Sequence, residues 1–469
     1  MYISLGKIAE YTGGKLYGDA NLTVTEAVID SRKTQKGSLF IALKGENTDG
    51  HRFVESAFNM GATAALVECG FSAPENAKNY VEVENTQNAM GDIAAGILRD
   101  RGNSVTKLAI TGSVGKTSTK DMIAYVFSSY FTTLKSELNH NNELGLPLTV
   151  MKLKDEHKVL VSEMGMRGLG QIEYLANIVK PDIAVITNIG VAHLELLKTR
   201  ENILRAKLEV CKGMKAGSTL VLNGDNDLLS DKNSVLEILK EYGVCLPEIV
   251  YFGTESNSDY KAENIHGSNY TLVTPGENKF EIKLKVPGVH NVYNSMAAVC
   301  AANAAGISTE KAIEALLTFG DDVSRQKITE KSWGFIIDDT YNAGPESMEA
   351  SLGVLKEIKA DVKIAALGDM LELGEITEEA HRKIGRIASE SADVLLAVGR
   401  NSVLYYETFS GKNKLHAEDS VSGAEALCKT VKEYIREGKR IAVLAKGSNA
   451  MKMNVVSNAL QLLDTEDFV

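Results

Sequence analysis

Short runs of apolar residues alternate with longer amphipathic segments along most of the chain. Runs such as Lys107–Thr111, Lys158–Ser162 and Asp182–Thr187 have the length and character of strands that are buried on both faces. Segments such as Lys116–Tyr130 and Gly168–Val179 lie between these runs and predict helices. This alternation of strand and helix predicts an α/β protein built on parallel sheets.

The same pattern divides the chain into three predicted domains. Residues 1–84 contain a short helix and two strands, and residues 85–322 begin with a helical linker and include a hairpin around Pro275 and Gly276. Residues 323–469 repeat strand–helix units, which predicts a second doubly wound, Rossmann-like domain. Three domains also agree with a chain of 469 residues, at roughly 100–200 residues per domain.

Composition and charge narrow the classes of partner. The formal net charge is −11, with 44% hydrophobic and 24% charged residues. An acidic balance argues against nucleic acid or an anionic membrane as the main partner, because both select for basic surfaces. There is no secretory leader pattern at the N-terminus, and no apolar run reaches the roughly 18 residues of a membrane span. We therefore expect a cytoplasmic protein, as a monomer, with small-molecule partners.

The five cysteines are scattered and show no CxxC spacing. This argues against a disulfide framework or a zinc site, and it agrees with a reducing compartment. Their simplest interpretation is that they are small buried hydrophobic residues.

A glycine-rich segment, Thr111–Ser118, joins a predicted strand to a predicted helix. In this context backbone N–H groups and a helix N-terminus face a bound anion. Lys116 would reach the β- and γ-phosphates, and the hydroxyl of Thr117 would ligate Mg²⁺. Ile110 stands where the general pattern has its first glycine, so the predicted phosphate loop is shortened. The alternative is a glycine-rich turn with an incidental lysine.

Three residues downstream could complete a phosphate and metal site. Glu163 ends a buried strand, which is where a phosphate-loop enzyme needs a carboxylate for Mg²⁺. His193 follows the next buried strand and could ligate a metal through a neutral imidazole. Lys207 lies on a predicted helix, where a lysine is usually a solvated charge. Taken singly, each also has the ordinary interpretation of a loop or surface residue.

Taken together, these residues resemble the Mur ligase family. The family pattern comprises a shortened phosphate loop, a strand-end glutamate, N-x-x-x-x-H, A-K-x-E, H-N-x-x-N, a late arginine and a D-x-Y-N segment. The corresponding positions occur in family order and are Thr111–Thr117, Glu163, Asn188–His193, Ala206–Glu209, His290–Asn294, Arg325 and Asp338–Asn342.

The resemblance implies an N-terminal domain for the UDP end of one substrate, a central phosphate-loop ATPase domain and a C-terminal domain for the incoming amine. Lys207 resembles the lysine that is carbamylated in several relatives, and it would thereby become an oxygen ligand. The implied metal ligands are Thr117, Glu163, His193 and Lys207, and the implied catalytic residues are Lys116, His193, Lys207 and Arg325. The implied ATP contacts are Thr111, Gly112, Ser113, Val114, Gly115, Lys116, Thr117, Ser118, Asn291, Asn294, Arg325, Asp339, Tyr341 and Asn342.

The N-terminal residues resemble a domain that binds a UDP-linked muramyl peptide. The similar segments are Asp30–Arg32, 40–46 and Asp49–Phe53, and arginine, lysine and serine side chains suit phosphate recognition. A further similar segment, Asn139–Pro147, would contact the muramyl peptide. The implied contacts are Ser31, Arg32, Lys44, His51, Asn139, Asn141 and Asn142. An ordinary polar surface loop remains the alternative for the N-terminal group.

The resemblance implies a particular reaction within the family. Leu367–Gly374 resembles the C-terminal segment of the members that add D-alanyl-D-alanine to UDP-N-acetylmuramoyl-tripeptide, and the Asp-Asn-Pro-Arg motif of the diamino-acid-adding members is absent from the sequence. The implied cofactors are ATP and Mg²⁺, and the implied intermediate is an acyl phosphate. The alternatives are a diamino-acid-adding or folate polyglutamate-type ligase, or a nucleotide-dependent switch or binding module.

Overall fold

The computed structural model describes residues 2–45, 48–137, 139–255, 257–320 and 326–463. These residues form three α/β domains, each with its own central sheet and its own buried clusters of aliphatic residues. The predicted fold class is therefore confirmed. The predicted boundaries at residues 84 and 322 stay predictions, and the second of them lies outside the described residues.

The N-terminal domain contains a five-stranded sheet in the order β2-β7-β6-β5-β4, which is parallel except for β2. A small antiparallel pair, β1 with β3, lies beside it. Its elements are β1 (Ile3–Ser4), α1 (Leu5–Thr12), β2 (Lys15–Tyr17), β3 (Thr23–Val24), β4 (Glu26–Val28), β5 (Ser38–Ile41), α2 (Val54–Asn59), β6 (Ala64–Glu68) and β7 (Tyr80–Val83), with 3₁₀ turns at Ser31–Lys33 and Gly50–Phe53.

The helix α3 (Thr86–Arg101) leads from this domain into the central one. It begins at an N-cap, where the side chain of Asn85 accepts the backbone N–H of Asn88. One face of α3 packs on the N-terminal core through Met90 and Ile93, and another packs on the central core through Ala94 and Leu98. This helix therefore joins two hydrophobic cores.

The central domain contains a nine-stranded sheet in the order β16-β15-β14-β13-β12-β11-β8-β10-β9, in which only the β14-β15-β16 meander is antiparallel. Its strands are β8 (Thr106–Thr111), β9 (Thr133–Lys135), β10 (Val159–Glu163), β11 (Ile183–Ile186), β12 (Thr219–Asn223), β13 (Glu248–Gly253), β14 (Tyr260–His266), β15 (Asn269–Val273) and β16 (Lys279–Lys283). Its helices are α4 (Lys116–Ser128), α5 (Gly145–Met151), α6 (Gln171–Val179), α7 (Leu194–Leu197), α8 (Arg200–Leu208), α9 (Asp227–Ser230), α10 (Lys232–Glu241), α11 (Val289–Ala304) and α12 (Thr309–Leu316), with 3₁₀ turns at Gly102–Ser104 and Glu209–Gly213.

The C-terminal domain contains a six-stranded sheet in the order β17-β18-β22-β19-β20-β21, which is parallel except for β17. Its strands are β17 (Lys327–Lys331), β18 (Gly334–Asp339), β19 (Val362–Gly368), β20 (Val394–Val398), β21 (Asn413–Ala417) and β22 (Ile441–Lys446). Its helices are α13 (Pro345–Glu357), α14 (Thr377–Ser391), α15 (Val403–Thr408), α16 (Ser420–Arg436) and α17 (Asn454–Gln461), with 3₁₀ turns at Gly374–Ile376 and Asn449–Met451.

The predicted strands and helices of the phosphate-loop region are confirmed to within a few residues, as is the hairpin around Pro275 and Gly276. The sequence pattern did not predict the edge strands β9, β17 and β21, whose residues are partly exposed and lack a continuous apolar run. None of the helices in the described part of the chain is long and apolar enough to cross a membrane.

Candidate active site

A cleft of about 1530 Å³ lies between the central and C-terminal domains. The strands β8, β10 and β11 are adjacent and parallel, so their carboxyl ends lie at one edge of the sheet. This edge faces the cleft. Parallel sheets bind ligands at this edge, where the order of the strands reverses. The C-terminal wall is formed by the loops after β18, β19 and β22.

The segment Thr111–Ser118 turns from β8 into α4 at the base of this cleft. A Cβ on Gly112, where φ is +147°, would lie 1.9 Å from Thr187 Oγ1, so no other residue fits there. The carboxamide oxygen of Asn188 accepts the backbone N–H groups of Ser113 and Val114 at 3.1 and 2.9 Å. The loop after β11 thus holds the turn in a backbone conformation that requires glycine at position 112.

Lys116 is the first residue of α4 and lies over the turn. Its ammonium donates to the backbone carbonyls of Gly112 and Ser113, at 2.7 and 3.0 Å. This places a positive charge beside the N-terminus of a helix, and both features favour an anion in the adjacent part of the cleft.

Thr117, Glu163 and Asn141 form a chain of hydrogen bonds beside the turn. The hydroxyl of Thr117 donates to Glu163 Oε2 at 2.8 Å, and the amide of Asn141 donates to Glu163 Oε1 at 2.9 Å. Glu163 is buried at the end of β10. These hydrogen bonds therefore connect the phosphate loop to the segment that was predicted to contact the muramyl peptide.

The donors present suit Mg²⁺ as a partial ligand set. Within the described ranges there is no group of three or more histidine, cysteine, aspartate or glutamate residues that could hold a metal ion. Mg²⁺ usually keeps several waters and binds through one or two carboxylates together with substrate phosphates. A hydroxyl and a carboxylate at the phosphate loop meet that requirement, so Thr117 and Glu163 fit the ion.

Lys207 lies on α8 with only 1% of its surface exposed, and it lines the cleft. Among the described residues its ammonium has no hydrogen-bond or ion-pair partner. Burial, followed by the charge of Lys116, lowers the pKa of Lys207 well below its usual value. The neighbouring Glu209 caps α6 by accepting the backbone N–H groups of Gly170 and Glu173. Lys207 is therefore not a surface charge, and its predicted role as a metal ligand stays a prediction.

His193 lies after β11, in a backbone conformation with φ of +65°. Its Nδ1 is 2.9 Å from Oε2 of Glu372 in the C-terminal domain, an ion-pair distance without the alignment of a hydrogen bond. Burial is the main reason that the pKa of His193 is lowered. This contact and the hydrogen bond from the Val191 N–H to Glu346 Oε1 join the two walls of the cleft.

Asn291 and Asn294 are buried on α11, and both carboxamides are used within the protein. Asn294 accepts the hydroxyl of Thr119 at 2.9 Å and donates to Asn291 at 3.0 Å, while Asn291 donates to the carbonyl of Pro287 at 2.7 Å. These bonds fasten α11 to the phosphate-loop helix α4. Their predicted contacts with ATP stay predictions.

The C-terminal wall brings Asp339, Tyr341 and Asn342 to the cleft. Arg325, which was predicted to lie with them, is outside the described residues. Asp339 accepts the ammonium of Lys446 at 2.6 Å, and Lys446 also donates to the carbonyl of Asn342 at 3.0 Å. Lys446 is buried at the end of β22. Sequence analysis missed it, although a lysine that ends an apolar strand and precedes Gly-Ser was an available signal.

The predicted uridine and diphosphate contacts lie in the N-terminal domain, away from the lining of the cleft. Arg32 is 85% exposed and pairs with Asp30, whose pKa it lowers to about 2. His51 uses both ring nitrogens internally, with Nδ1 at 2.6 Å from Asp49 and Nε2 accepting the backbone N–H of Glu68 at 2.8 Å. Ser31 is partly exposed, and Lys44 is exposed. Asn139, Asn141 and Asn142 do line the cleft.

A phosphate loop that faces a Rossmann-like domain across one cleft is the arrangement of a nucleotide-dependent enzyme. Family models match most of the chain: the Mur ligase family catalytic domain at residues 23–97, the Mur ligase middle domain at 110–302 and the Mur ligase glutamate ligase domain at 324–449. The chain belongs to the Mur ligase family, and it is an ATP-dependent ligase.

Relatives of known type resemble the chain over nearly its whole length. The UDP-N-acetylmuramoyl-tripeptide–D-alanyl-D-alanine ligase of Bacillus subtilis is 35% identical, with 96% of each chain covered, and that of Escherichia coli is 32% identical, with 98% of each covered. The crystal structure of MurF from Acinetobacter baumannii has a TM-score of 0.87 at 28% identity, covering 98% of this chain and 99% of the other. MurF ligase from Thermotoga maritima in complex with ADP has a TM-score of 0.78 at 27% identity, covering 93% and 98%.

Proposed function

We propose that the chain joins D-alanyl-D-alanine to UDP-N-acetylmuramoyl-tripeptide with cleavage of ATP to ADP and phosphate. The full-length similarity to ligases with that activity supports this reaction. The structural observation that carries it is the chain of hydrogen bonds from Thr117 through Glu163 to Asn141. It joins the phosphate loop to the segment proposed to contact the peptide, so the two reacting groups would meet beside Glu163.

The reaction has two steps. The terminal carboxylate of the tripeptide attacks the γ-phosphorus of ATP, which forms an acyl phosphate and releases ADP. The amine of the dipeptide then attacks the acyl carbon, and the tetrahedral intermediate collapses to the amide and phosphate with loss of one proton from nitrogen. The first step brings two anionic groups together, and the second step develops an oxyanion in the tetrahedral intermediate. The barrier to each step is therefore chiefly electrostatic.

The residues of the cleft have distinct tasks in this scheme. Lys116 and the N-terminus of α4 stabilise charge on the transferred phosphoryl group. Thr117, Glu163, His193 and a modified Lys207 are the proposed holders of Mg²⁺, which when bound neutralises phosphate charge. Asp339, Tyr341 and Asn342 would hold the nucleotide from the C-terminal side, and Arg325, to which the resemblance assigns the same task, lies outside the described residues. Because ATP is a cytoplasmic substrate, we infer that the reaction takes place in the cytoplasm.

The experiment that tests the function is an assay of the purified protein with ATP and Mg²⁺. Both UDP-muramyl tripeptides, with lysine or diaminopimelate as the third residue, are supplied with D-alanyl-D-alanine, and the products are identified by mass spectrometry. We expect a pentapeptide product and phosphate release that depends on the dipeptide. Phosphate release that is indifferent to the dipeptide would instead identify a nucleotide-dependent switch. Addition of a diamino acid to a UDP-muramyl dipeptide would assign the chain to another member of the family.

Amine specificity should reside in the C-terminal domain. A chimera that carries residues 323–469 of a diamino-acid-adding relative should change the preferred amine and keep the UDP-linked acceptor. A diamino-acid site must pair a second charged end of the amine, and a buried charge without its partner is costly. A methyl pocket discriminates by only about 1–3 kcal/mol per methylene group, so unpaired charge should dominate. Competition between the two amines in one reaction measures this preference, and an unchanged preference in a folded chimera would contradict it.

A further inference from the structure

The loop after β19 is held rigidly at the C-terminal wall of the cleft. The carboxylate of Asp369 accepts the backbone N–H groups of Asn401 and Ser402 at 3.1 and 2.7 Å. The N–H of Met370 donates to Nε2 of the buried His381 at 3.1 Å, and the N–H of Leu371 donates to Ser448 Oγ at 2.9 Å. The next residue, Glu372, therefore leaves a well-anchored backbone.

Glu372 projects from this loop toward the phosphate side of the cleft. Its φ is +63°, a left-handed conformation that is unfavourable for a residue with a side chain. Its carboxylate lies 2.9 Å from Nδ1 of His193, across the boundary between the domains. The side chain is 51% exposed and lines the cleft. A strained backbone that persists on an anchored loop is typical of a functional site.

Glu372 differs from the other two carboxylates of this wall in having no lysine or arginine partner among the described residues. Asp339 is paired with Lys446, and Glu346 accepts the N–H of Val191 and, after Asp227, contributes to the raised pKa of the Arg200 guanidinium. Across the described part of the chain, the one side chain that Glu372 contacts at ion-pair distance is the imidazole of His193. Its carboxylate therefore faces the open cleft.

The position of Glu372 matches that required for the amine. The acyl phosphate must form near Lys116, and Lys116, His193 and Glu372 all line the same cleft. Glu372 contacts His193 from the opposite wall, so a group bound to its carboxylate would lie in the same cleft as the transferred phosphoryl group. Reacting atoms must come within about 3–3.5 Å before attack.

We propose that Glu372 binds the amino group of the incoming amine as its ammonium ion and so positions its nitrogen, which becomes the nucleophile once one of its protons has passed to water. This inference rests on the proposed function. A carboxylate and an ammonium make a charge-assisted hydrogen bond, which is among the stronger polar contacts in proteins. The bond would also explain why the loop holds a glutamate in a conformation that glycine adopts more readily.

The test is Glu372→Gln, which keeps the shape of the side chain and removes its charge. We expect the KM for D-alanyl-D-alanine to rise about tenfold or more, while the KM values for ATP and for the UDP-linked tripeptide stay within twofold. The matched control is Glu375→Gln, because Glu375 is exposed three residues further along the same segment and does not line the cleft. This control should leave all three KM values unchanged.

A second ligand separates recognition of the ammonium from a purely structural role. Propionyl-D-alanine is D-alanyl-D-alanine with the ammonium replaced by hydrogen, and its inhibition constant is measured in both proteins. We expect Glu372→Gln to leave that constant within twofold of the wild-type value while weakening the amine. An equal loss for both ligands, or an unchanged KM for the dipeptide, would overturn the proposal.

The same design distinguishes failure of this inference from failure of the proposed function. If the wild-type protein does not consume D-alanyl-D-alanine, the proposed function fails. The amine that it does consume, and the corresponding analogue without the amino group, then replace the two ligands in the same comparison. A charge-dependent loss confined to the amine would support the role of Glu372 for that substrate, and its absence would refute it.

Discussion

Replacing Lys116 with alanine should lower kcat for ligation by at least about 10²–10³-fold, the usual cost of removing one preorganised donor from a site of developing charge. Lys116 lies over the phosphate loop with its ammonium held by the carbonyls of Gly112 and Ser113. Its charge is therefore in place before ATP binds, and no other described cation occupies this position on the loop. Single-turnover measurement of acyl phosphate or ADP formation should show the loss in the first chemical step.

The fold should survive this change, because Lys116 is only partly buried and its hydrogen bonds are to loop carbonyls. Thermal unfolding followed by circular dichroism checks this point. Lys154→Ala is the control, since Lys154 is 69% exposed and distant from the cleft lining. If the Lys116→Ala protein turned over at nearly the wild-type rate, the assignment of the phosphate loop would be wrong.

Replacing Lys207 with alanine should cost a comparable amount, about 10²-fold or more in kcat, if its side chain supplies charge-stabilising oxygens as a carbamate. Burial keeps the pKa of this lysine low, and a neutral amine can add to carbon dioxide. The carbamate converts a cation into a carboxylate-like group at a site where a metal ligand is proposed. Short-chain carboxylic acids such as acetate or propionate should partly restore activity, because they can enter the space left by the side chain.

Lys207→Met provides the matched comparison, because methionine fills that space with an apolar chain. It should be as inactive as the alanine variant, and added carboxylic acids should not restore it. Lys240→Ala, on the exposed side of α10, should behave as wild type. Full activity of Lys207→Ala in buffer depleted of bicarbonate would refute the carbamate and the metal-site role together.

Features that depend on short stretches of chain could be predicted from the sequence. The apolar run of β8, the glycines that follow it and the start of α4 at Lys116 are encoded within about a dozen residues, and their geometry follows from backbone sterics and burial. The order of the family motifs then predicted the class of reaction. Edge strands such as β9 were missed because one-sided, partly exposed strands carry little hydrophobic periodicity.

The surroundings of the reactive groups were decided by the tertiary structure. A helix lysine is ordinarily solvated, and Lys207 is buried because α8 packs into the hydrophobic core of the central domain while that residue lines the cleft. The ion pair between Lys446 and Asp339 joins positions 107 residues apart, and no local pattern links them.

The contact between His193 and Glu372 depends on the packing of two separate domains. The sequence by itself determined the strand–helix alternation, the phosphate loop and the family, because these depend on local backbone geometry and on motifs of known order. Only the tertiary structure decided which charges are buried, paired or left facing the cleft. Burial and pairing are set by groups that are distant in sequence, and they control both the pKa of Lys207 and the surroundings of the Glu372 carboxylate.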